Sequence, residues 1–598
     1  MIFMSRMFTS KDLRRLIIPL VFEQALAITV GMADTMMVSS VGEAAISGVS
    51  LVDMINNLIF AVLAALSTGG AVVVSQYIGA RREKDACRCA WQLLYTTLSI
   101  SLLISLAAYQ LLISNELVNT YDALWQGAEY RNYLWVIEIG RWFWPVLGHA
   151  QMNICPEPFT SILALIFYVV GSCAVAFWSG VKDSLKGYLL VLTSVINTAV
   201  CVALSHRYMS PVFGLSFLLA LLAVRMLSKE KLLPWLASVA CLTLTLGLYQ
   251  SNIGCACVLV LIFVVQMLQD GLETRKVLRF LCKTLASFLC SFILYKVIWD
   301  LTLKFCHVDA SSYRGGDTSI MKIITSLPTS IKNTYLEFYR YFFENELKYN
   351  VYQRLAPFRL MLFCLILVTV ILIGRKLASS PFGAKLGAAA CLLLIPPAAN
   401  VALILAVDAG QTSIQMTMPM ATVFPFLLCV ADSCPLDSQV GKRSRWLELA
   451  AGLRAMCMLV LLGGSLMMVS IDQHVMLKSR ETAVSLLNRV TVDLGEDTNP
   501  EGGVFFIGRP SDNPIFLKDQ LWQRSNDYAH YGEFWLGGNL TTQSYFGYLR
   551  DAGLLLTFNW DEAAWNEVGS REDVKTMPVY PDEGYIRRIG NAMVVRLS

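Results

Sequence analysis

The chain has 598 residues, of which 56% are hydrophobic and only 15% charged, a balance too apolar for a soluble protein of this length. A net charge of +4, spread over many short loops, gives no support for a nucleic-acid partner. Five histidines with no His/Cys cluster argue against a structural zinc site, so the composition reads as a multi-spanning membrane protein.

Apolar runs of roughly twenty residues, enough to cross a hydrocarbon core of about 30 Å, fall near 16–39, 51–78, 92–114, 159–180, 188–205, 211–227, 232–250, 253–269, 281–303, 357–374, 386–408, 417–432 and 450–471. They predict thirteen transmembrane helices, of which 211–227 and 417–432 are short and expected to tilt little or to be partly re-entrant. The first run is longer than a signal core and lacks a small-residue cleavage site, so no cleavable signal peptide is expected.

Basic residues recur in alternate loops: Lys11, Arg14 and Arg15; Arg81, Arg82, Lys84 and Arg88; Lys182 and Lys186; Lys229 and Lys231; Arg275, Lys276 and Arg279; Arg375 and Lys376; Lys442, Arg443 and Arg445. If those loops are cytoplasmic, the amino terminus is inside the cell. Residues 115–158, the long 304–356 segment and the tail then lie outside.

Cysteines such as Cys241, Cys255, Cys257 and Cys290 sit within apolar runs, where they are expected to behave as small buried hydrophobes. From Ile471 onward the chain has none, so an extracellular tail must be held by its core instead of by disulfides. That tail alternates turn residues with short strand-like segments, Gly503 to Ile507, Leu554 to Phe558 and Ala592 to Leu597, and predicts a small extracytoplasmic α/β or α+β domain. Its Asn539-Leu540-Thr541 sequon carries no weight, because such triplets are common.

The stretch from Asn115 to Pro145 places acids, arginines and tryptophans directly after an apolar run. Charge beside aromatic anchors at a membrane surface suits an amphipathic molecule whose head is gripped while its tail stays in lipid.

Residues 10 to about 90, with Pro19, Asp34 and the Gly79-Ala80-Arg81-Arg82 loop, resemble the opening helices of multidrug and toxin extrusion (MATE) transporters. The resemblance implies a cation-coupling role for Asp34 in a complete transporter. Such a transporter needs two bundles of six helices, which makes Asp34 a relic or a packing contact here. Glu23, Asp53, Asn56 and Asn57 are expected to face other helices or water, since polar groups are costly in a bilayer.

From about Leu94 onward the chain resembles polytopic glucosyltransferases related to phage serotype-converting enzymes that modify O-antigen. The resemblance rests on Asn119 to Trp125, Gly140-Arg141-Trp142-Phe143-Trp144-Pro145, Tyr249-Gln250-Ser251, Ser312-Tyr313-Arg314-Gly315 with NTYLEFYRYFF, and the closing MPVYPDEGYIRRIGNAMVVRLS. It implies a GT-C-like glycosyltransferase that takes glucose from a polyprenyl-phosphate carrier, such as undecaprenyl phosphate, and works on the outer face of the cell membrane. The expected fold is therefore an all-α polytopic membrane protein with a small C-terminal domain. Its parts are 1–92, MATE-like; 93–472, the transferase membrane domain; and 473–598, extracytoplasmic.

Sugar transfer from a lipid phosphate needs a base for the attacking hydroxyl and a cation for the departing phosphate. Asp122 is the predicted base, against the competing reading of a helix cap, with Glu129 and Glu138 as reserve acids. Arg141 is the predicted phosphate ligand, its competing reading an interfacial anchor. Trp142, Tyr249, Gln250, Tyr313 and Arg314 are further substrate-binding candidates, with Arg207 and Arg131 weaker ones. Lys296 and Asp300 are four apart on a helix and are expected to neutralise each other.

No cofactor follows from the sequence, and a divalent metal is left open; Tyr121-Asp122-Ala123 stands where the family often carries paired acids, which disfavours a two-carboxylate metal site. The expected partners are a polyprenyl-phosphate sugar donor, a cell-surface glycan acceptor and the bilayer. Two other classes compete: a partial MATE-type transporter or helper that flips the lipid-linked sugar, and an inactive scaffold that binds glycan.

Overall fold

A computed structural model describes residues 76–77, 79–80, 82–118, 123–124, 133–181, 184–313, 320–344, 356–405, 412–430, 445–516, 520–525, 546–550, 556–559 and 561–598. The chain forms two compact units, Met1–Leu93 and Leu94–Ser598. In the first, Arg82 Nε pairs with Asp85 at 2.8 Å. Asp34, Glu23, Asp53, Asn56 and Asn57 lie outside the described residues, as do the predicted runs 16–39 and nearly all of 51–78.

The second unit is a helical bundle. Its elements are α1 (Glu83–Ala108, which begins in the first unit), α2 (Tyr133–Glu138), α3 (Trp144–Ala150), α4 (Phe159–Trp178), α5 (Ser184–Val195), α6 (Thr198–Ser205), α7 (Ser210–Leu227) and α8 (Leu232–Leu248). There follow α9 (Ile253–Gln269), α10 (Thr274–Cys306), α11 (Ile320–Phe343), α12 (Ala356–Lys376), α13 (Phe382–Leu393), α14 (Val423–Val430) and α15 (Arg445–Leu494).

Six helices among the described residues are long and apolar enough to cross a membrane, or up to seven if α5 and α6, bent by 48°, form one span. The thirteen predicted spans are thus not all continuous helices. The run 386–408 breaks into α13 and two five-residue pieces, Ile395–Ala399 and Val401–Leu405, around Pro396, Pro397 and Asn400, where proline removes backbone donors. The run 417–432 is likewise split, into Met418–Ala421 and α14.

Broken helices are tolerated at membrane depth only where their freed backbone groups find partners. At the α5/α6 break, Asn197 Oδ1 caps α6 by accepting from Val200 N at 3.1 Å, and its Nδ2 donates to Ser194 O at 2.9 Å. Tyr109, at the end of α1, donates its hydroxyl proton to Val195 O at 2.8 Å and accepts from Asn197 N at 3.2 Å.

Hydrogen bonds and ion pairs sort the loops into two ends. At one, Phe143 N donates to Gly247 O, Ser311 N to Glu138 O, Ser251 Oγ to Met416 O and Arg480 Nη1 to Asn115 O. At the other, Lys283 bonds Leu227 O, Arg279 pairs with Glu230 and Lys376 with Asp270. Loops separated by a whole number of helix pairs in sequence therefore meet in space.

Residues 304–356, expected to lie outside, contain α11. Ser330, Thr334 and Glu337 face inward and are buried, whereas Met321 (69% exposed), Ile324 (60%) and Tyr339 (57%) face outward. Lys322, Thr325, Thr329 and Lys332 are exposed as well, and Tyr341 and Phe342 are buried, so α11 is an amphipathic helix with both kinds of residue on each side. Glu337 is satisfied within the protein: it accepts from Thr412 N at 3.0 Å and Thr412 Oγ1 at 2.7 Å, and pairs with Arg340 at 2.7 Å.

Among the cysteines, Cys255 is buried and Cys241 and Cys257 are half-buried, but Cys290 is exposed on α10. The expectation of a buried hydrophobe fails for Cys290, because α10 turns much of its apolar surface outward, as lipid-facing helices do.

α15 continues for 50 residues, about 75 Å at 1.5 Å per residue, without stopping where the last predicted span does. It leads to a three-stranded sheet of order β1-β3-β2, with β1 (Val504–Ile507) parallel to β3 (Ala592–Arg596) and β2 (Ile586–Ile589) antiparallel to it. Phe505, Val574, Met577 and Val594 make its small core. The residues 546–550 reach back to the bundle, where Arg550 donates to Leu124 O at 2.7 Å.

Candidate functional site

The site is built on the turn that ends α2. Gly140 N donates to Ile137 O at 3.0 Å and Arg141 N to Val136 O at 2.8 Å, the two bonds of a Schellman motif, which needs a left-handed residue at its penultimate position. Gly140 supplies it with φ of +86°. A Cβ there would collide with the Tyr295 hydroxyl and stand 3.0 Å from the Gln250 amide. Three elements clamp the turn: Trp299 Nε1 donates to Ile137 O at 2.6 Å, Ser311 N to Glu138 O at 3.0 Å, and Gln250 Nε2 to Ile139 O at 3.0 Å.

The rigid turn projects Arg141 between two rings. Its guanidinium carbon lies 5.5 Å from the Trp144 ring centre and 5.0 Å from that of Tyr249, within cation–π range. Its Nε is buried without a hydrogen-bond partner, and no carboxylate pairs with it among the described residues. Arg141 as a whole is half-buried, and it is its Nε that is withdrawn from water without an acceptor, a group able to take an anion.

The rings continue the niche. Trp144 stacks on Tyr208 at 6.1 Å with 11° between planes, and Phe213 meets Tyr249 edge-on at 4.5 Å. His206 is buried against Phe213 and Tyr208. Burial pushes its imidazole down to about 4, and the charge of Arg141 acts in the same direction. It is therefore neutral at pH 7, with Nδ1 facing Val202 O at 2.8 Å, which assigns the proton to Nδ1 and leaves Nε2 an acceptor.

Arg207 lies beyond Tyr208 and pairs with Glu116 at 2.5 Å. Glu157 accepts from Thr160 Oγ1 at 2.8 Å and Ser161 Oγ at 2.9 Å. Burial raises its carboxyl above the usual range, opposed by those hydrogen bonds and by the nearby charge of Arg207. Among the described residues no group of three or more His, Cys, Asp or Glu comes together to hold a metal.

Of the candidates from sequence, Arg141 and Tyr249 share this niche. Gln250 is committed to the turn, and Trp142 packs on Gly247 with its Nε1 buried and lacking a hydrogen-bond partner. Glu138 closes α2. Tyr313 leaves the niche and sets its ring against Trp135 at 5.5 Å. Lys296 and Asp300 meet at 3.1 Å, with the ammonium 4.0 Å from the Trp299 ring centre. Asp122, Glu129, Arg131 and Arg314 lie outside the described residues.

Sequence reasoning missed His206, Glu116 and Glu157. His206 stands in Ser-His-Arg-Tyr between two apolar runs, and Glu157 between two prolines at a helix start. Both patterns are visible but point to no chemistry until the loops meet.

Helices of this length and apolarity, closed at one end by a cationic aromatic niche, define an integral membrane protein. The chain belongs to the glucosyl transferase GtrII family, whose model matches residues 127–430. A second model, MatE, matches residues 19–148, farther than the MATE-like stretch expected from the sequence, so the two overlap over 127–148 and share the Arg141 turn. The uncharacterized transporter YisQ of Bacillus subtilis (strain 168) is 32% identical over 91 residues, 15% of this chain and 20% of that protein. The chain therefore spans a small part of that relative's length. No solved structure matches the chain.

Proposed function

We propose that the protein is a GT-C-type glycosyltransferase that moves glucose from a polyprenyl-phosphate carrier, such as undecaprenyl phosphate, to a cell-surface glycan such as O-antigen, at the outer face of the cell membrane. The observation that carries this reading is Arg141: a guanidinium in a ring-lined niche at the ends of membrane helices, its Nε buried without an acceptor, in a member of a glucosyl transferase family. The bilayer, the lipid-linked donor and the glycan acceptor are its partners. The alternate basic loops put the amino terminus in the cytoplasm and the C-terminal domain outside.

In the proposed reaction the acceptor hydroxyl attacks the anomeric carbon. Its oxygen forms the new glycosidic bond as the bond from that carbon to the phosphate oxygen breaks, and the electron pair leaves with the phosphate. Arg141 holds the growing negative charge, and Asp122 takes the hydroxyl proton. Glu129 and Glu138 are the acids held in reserve. Tyr313 and Arg314 are further substrate-binding candidates.

Transfer from glucosyl polyprenyl phosphate, measured in membranes, tests the assignment. Arg141→Lys should raise the donor KM at least about tenfold, because an ammonium cannot grip phosphate bidentately. Asp122→Asn should lower kcat by about a hundredfold or more. Near-normal turnover by Asp122→Asn would remove it as the base, and wild-type protein without any transfer would favour the inactive glycan-binding scaffold.

A second reading, a partial transporter or flipping helper, is favoured by the MatE match over 19–148. In that reading Asp34 would couple a cation.

A further inference from the structure

Side chains from three stretches of chain, 141–144, 206–213 and 249, close into a circuit. Arg141 lies 5.5 Å from the Trp144 ring centre, Trp144 6.1 Å from Tyr208, and Tyr208 6.3 Å from His206. His206 lies 6.1 Å from Phe213, Phe213 4.5 Å from Tyr249, and Tyr249 5.0 Å from the Arg141 guanidinium. Trp144, His206, Phe213 and Tyr249 are buried, whereas Arg141 and Tyr208 are half-buried and carry the accessible edge.

Two members of this circuit are unfinished in hydrogen-bonding terms, and in opposite senses. Arg141 Nε is a buried donor without an acceptor. His206, only 5% exposed, gives its Nδ1 proton to Val202 O at 2.8 Å. That bond leaves Nε2, on the other side of the ring, as an acceptor with no hydrogen-bond partner among the described residues. Burial and the nearby charge of Arg141 keep the imidazole neutral, so Nε2 remains an acceptor at pH 7. Buried polar groups are seldom left in this state without a ligand or water to complete them. A bare phosphodiester would satisfy the arginine alone, since it has acceptors and no proton to donate. A molecule that completes both must present an anion and, beside it, a hydroxyl.

We infer that a hydroxyl of the sugar on the lipid phosphate held by Arg141 donates to His206 Nε2, which makes His206 a specificity-determining residue for a glycosylated carrier. The inference rests on the donor proposed above. A bilayer lipid with a hydroxylated phosphodiester head, such as phosphatidylglycerol, shares this chemistry, but membership of a glucosyl transferase family favours the sugar.

The test uses the full-length protein in lipid nanodiscs and two lipids of equal charge, glucosyl polyprenyl phosphate and the methyl ester of polyprenyl phosphate, which keeps the diester and has no hydroxyl. Affinities are read by competition against radiolabelled glucosyl polyprenyl phosphate. Wild type should prefer the glucosyl lipid, and His206→Phe should cut that preference about tenfold while holding the affinity for the methyl ester within about twofold. The substitution keeps a ring against Phe213 and Tyr208 and leaves Val202 O its bond from the backbone N–H of position 206. His206→Leu decides the matter if the larger ring does not fold. Wild type without the preference, a monodisperse variant that retains it, or equal weakening of both lipids would overturn the inference. Phosphatidylglycerol competing as well as the glucosyl lipid would overturn it too, by giving the site to a bilayer headgroup. The donor reading fails by a different result: a His206-dependent preference as expected, yet no glucose transferred to a glycan. Transfer with the preference unchanged in His206→Phe would sink the hydroxyl assignment alone.

Discussion

Arg141 depends on the residues that hold its turn. Gly140 holds the turn in a backbone region that favours glycine, and a methyl group there would push into Tyr295 and Gln250. Gly140→Ala should therefore destabilise the protein by about 1–3 kcal/mol and weaken donor binding together with it, measured by thermal unfolding and donor KM; a variant with normal values of both would show that the turn does not position the arginine. His206 makes a prediction with a sign. Its folded pKa of about 4 lies below the ordinary value of 6.5, so the unfolded chain binds the proton more readily in between. Stability from this group is intact above about pH 6.5 and is lost as pH falls toward 4, by up to about 3 kcal/mol. His206→Gln should flatten the fall in melting temperature between pH 7 and pH 4.5, and an unchanged profile would refute the buried neutral imidazole. Arg141 itself was legible in the sequence because glycine and tryptophan flank it. Gln250 was legible only as a polar residue at a helix end, and which partner takes its amide depends on a carbonyl 111 positions away.

At the scale of elements, α11 is the least expected feature. The alternation of basic loops places its segment outside, and it holds a 24-residue amphipathic helix whose buried residues include Ser330, Thr334 and Glu337 together with Tyr341 and Phe342. Periodicity finds such a helix, but which residues turn inward depends on partners elsewhere in the chain. Glu337 secures it to the 412–417 segment through Thr412 and Arg340. Glu337→Ala removes one acceptor from three donors and should cost about 3–5 kcal/mol, the range for breaking a buried charge pair, whereas Glu337→Gln should keep the Thr412 bonds and lose less. Melting curves in detergent that place Glu337→Ala beside wild type would disprove the strut. The broken runs carry the same lesson: apolar content predicted 386–408 as a span, but Pro396, Pro397 and Asn400 divide it, and Asn400 donates to Thr334 O on α11 at 3.1 Å.

The whole molecule combines a transferase-family region with a stretch that matches transporters, and residues 127–148 belong to both matches. Deleting residues 1–90 separates the two readings, since the Arg141 niche lies entirely in the second unit. If the first segment is accessory, transfer measured in membranes should persist at about half or more of its wild-type rate. Loss of lipid-linked sugar flipping with transfer intact would favour the transport reading. By itself the sequence determined that the chain lives in a membrane, that its loops alternate in charge, that its tail is built differently from its bundle, and that Arg141 stands among aromatic residues; these follow from composition and short-range order, which hydrophobic transfer and local propensity dictate. Only the tertiary structure decided that Tyr249 faces Arg141, that Tyr208 stacks on Trp144, and that Thr412 holds Glu337 of α11. Those are contacts between residues far apart in the chain, and they are selected by packing and by the need to satisfy every buried polar group, neither of which a local pattern records.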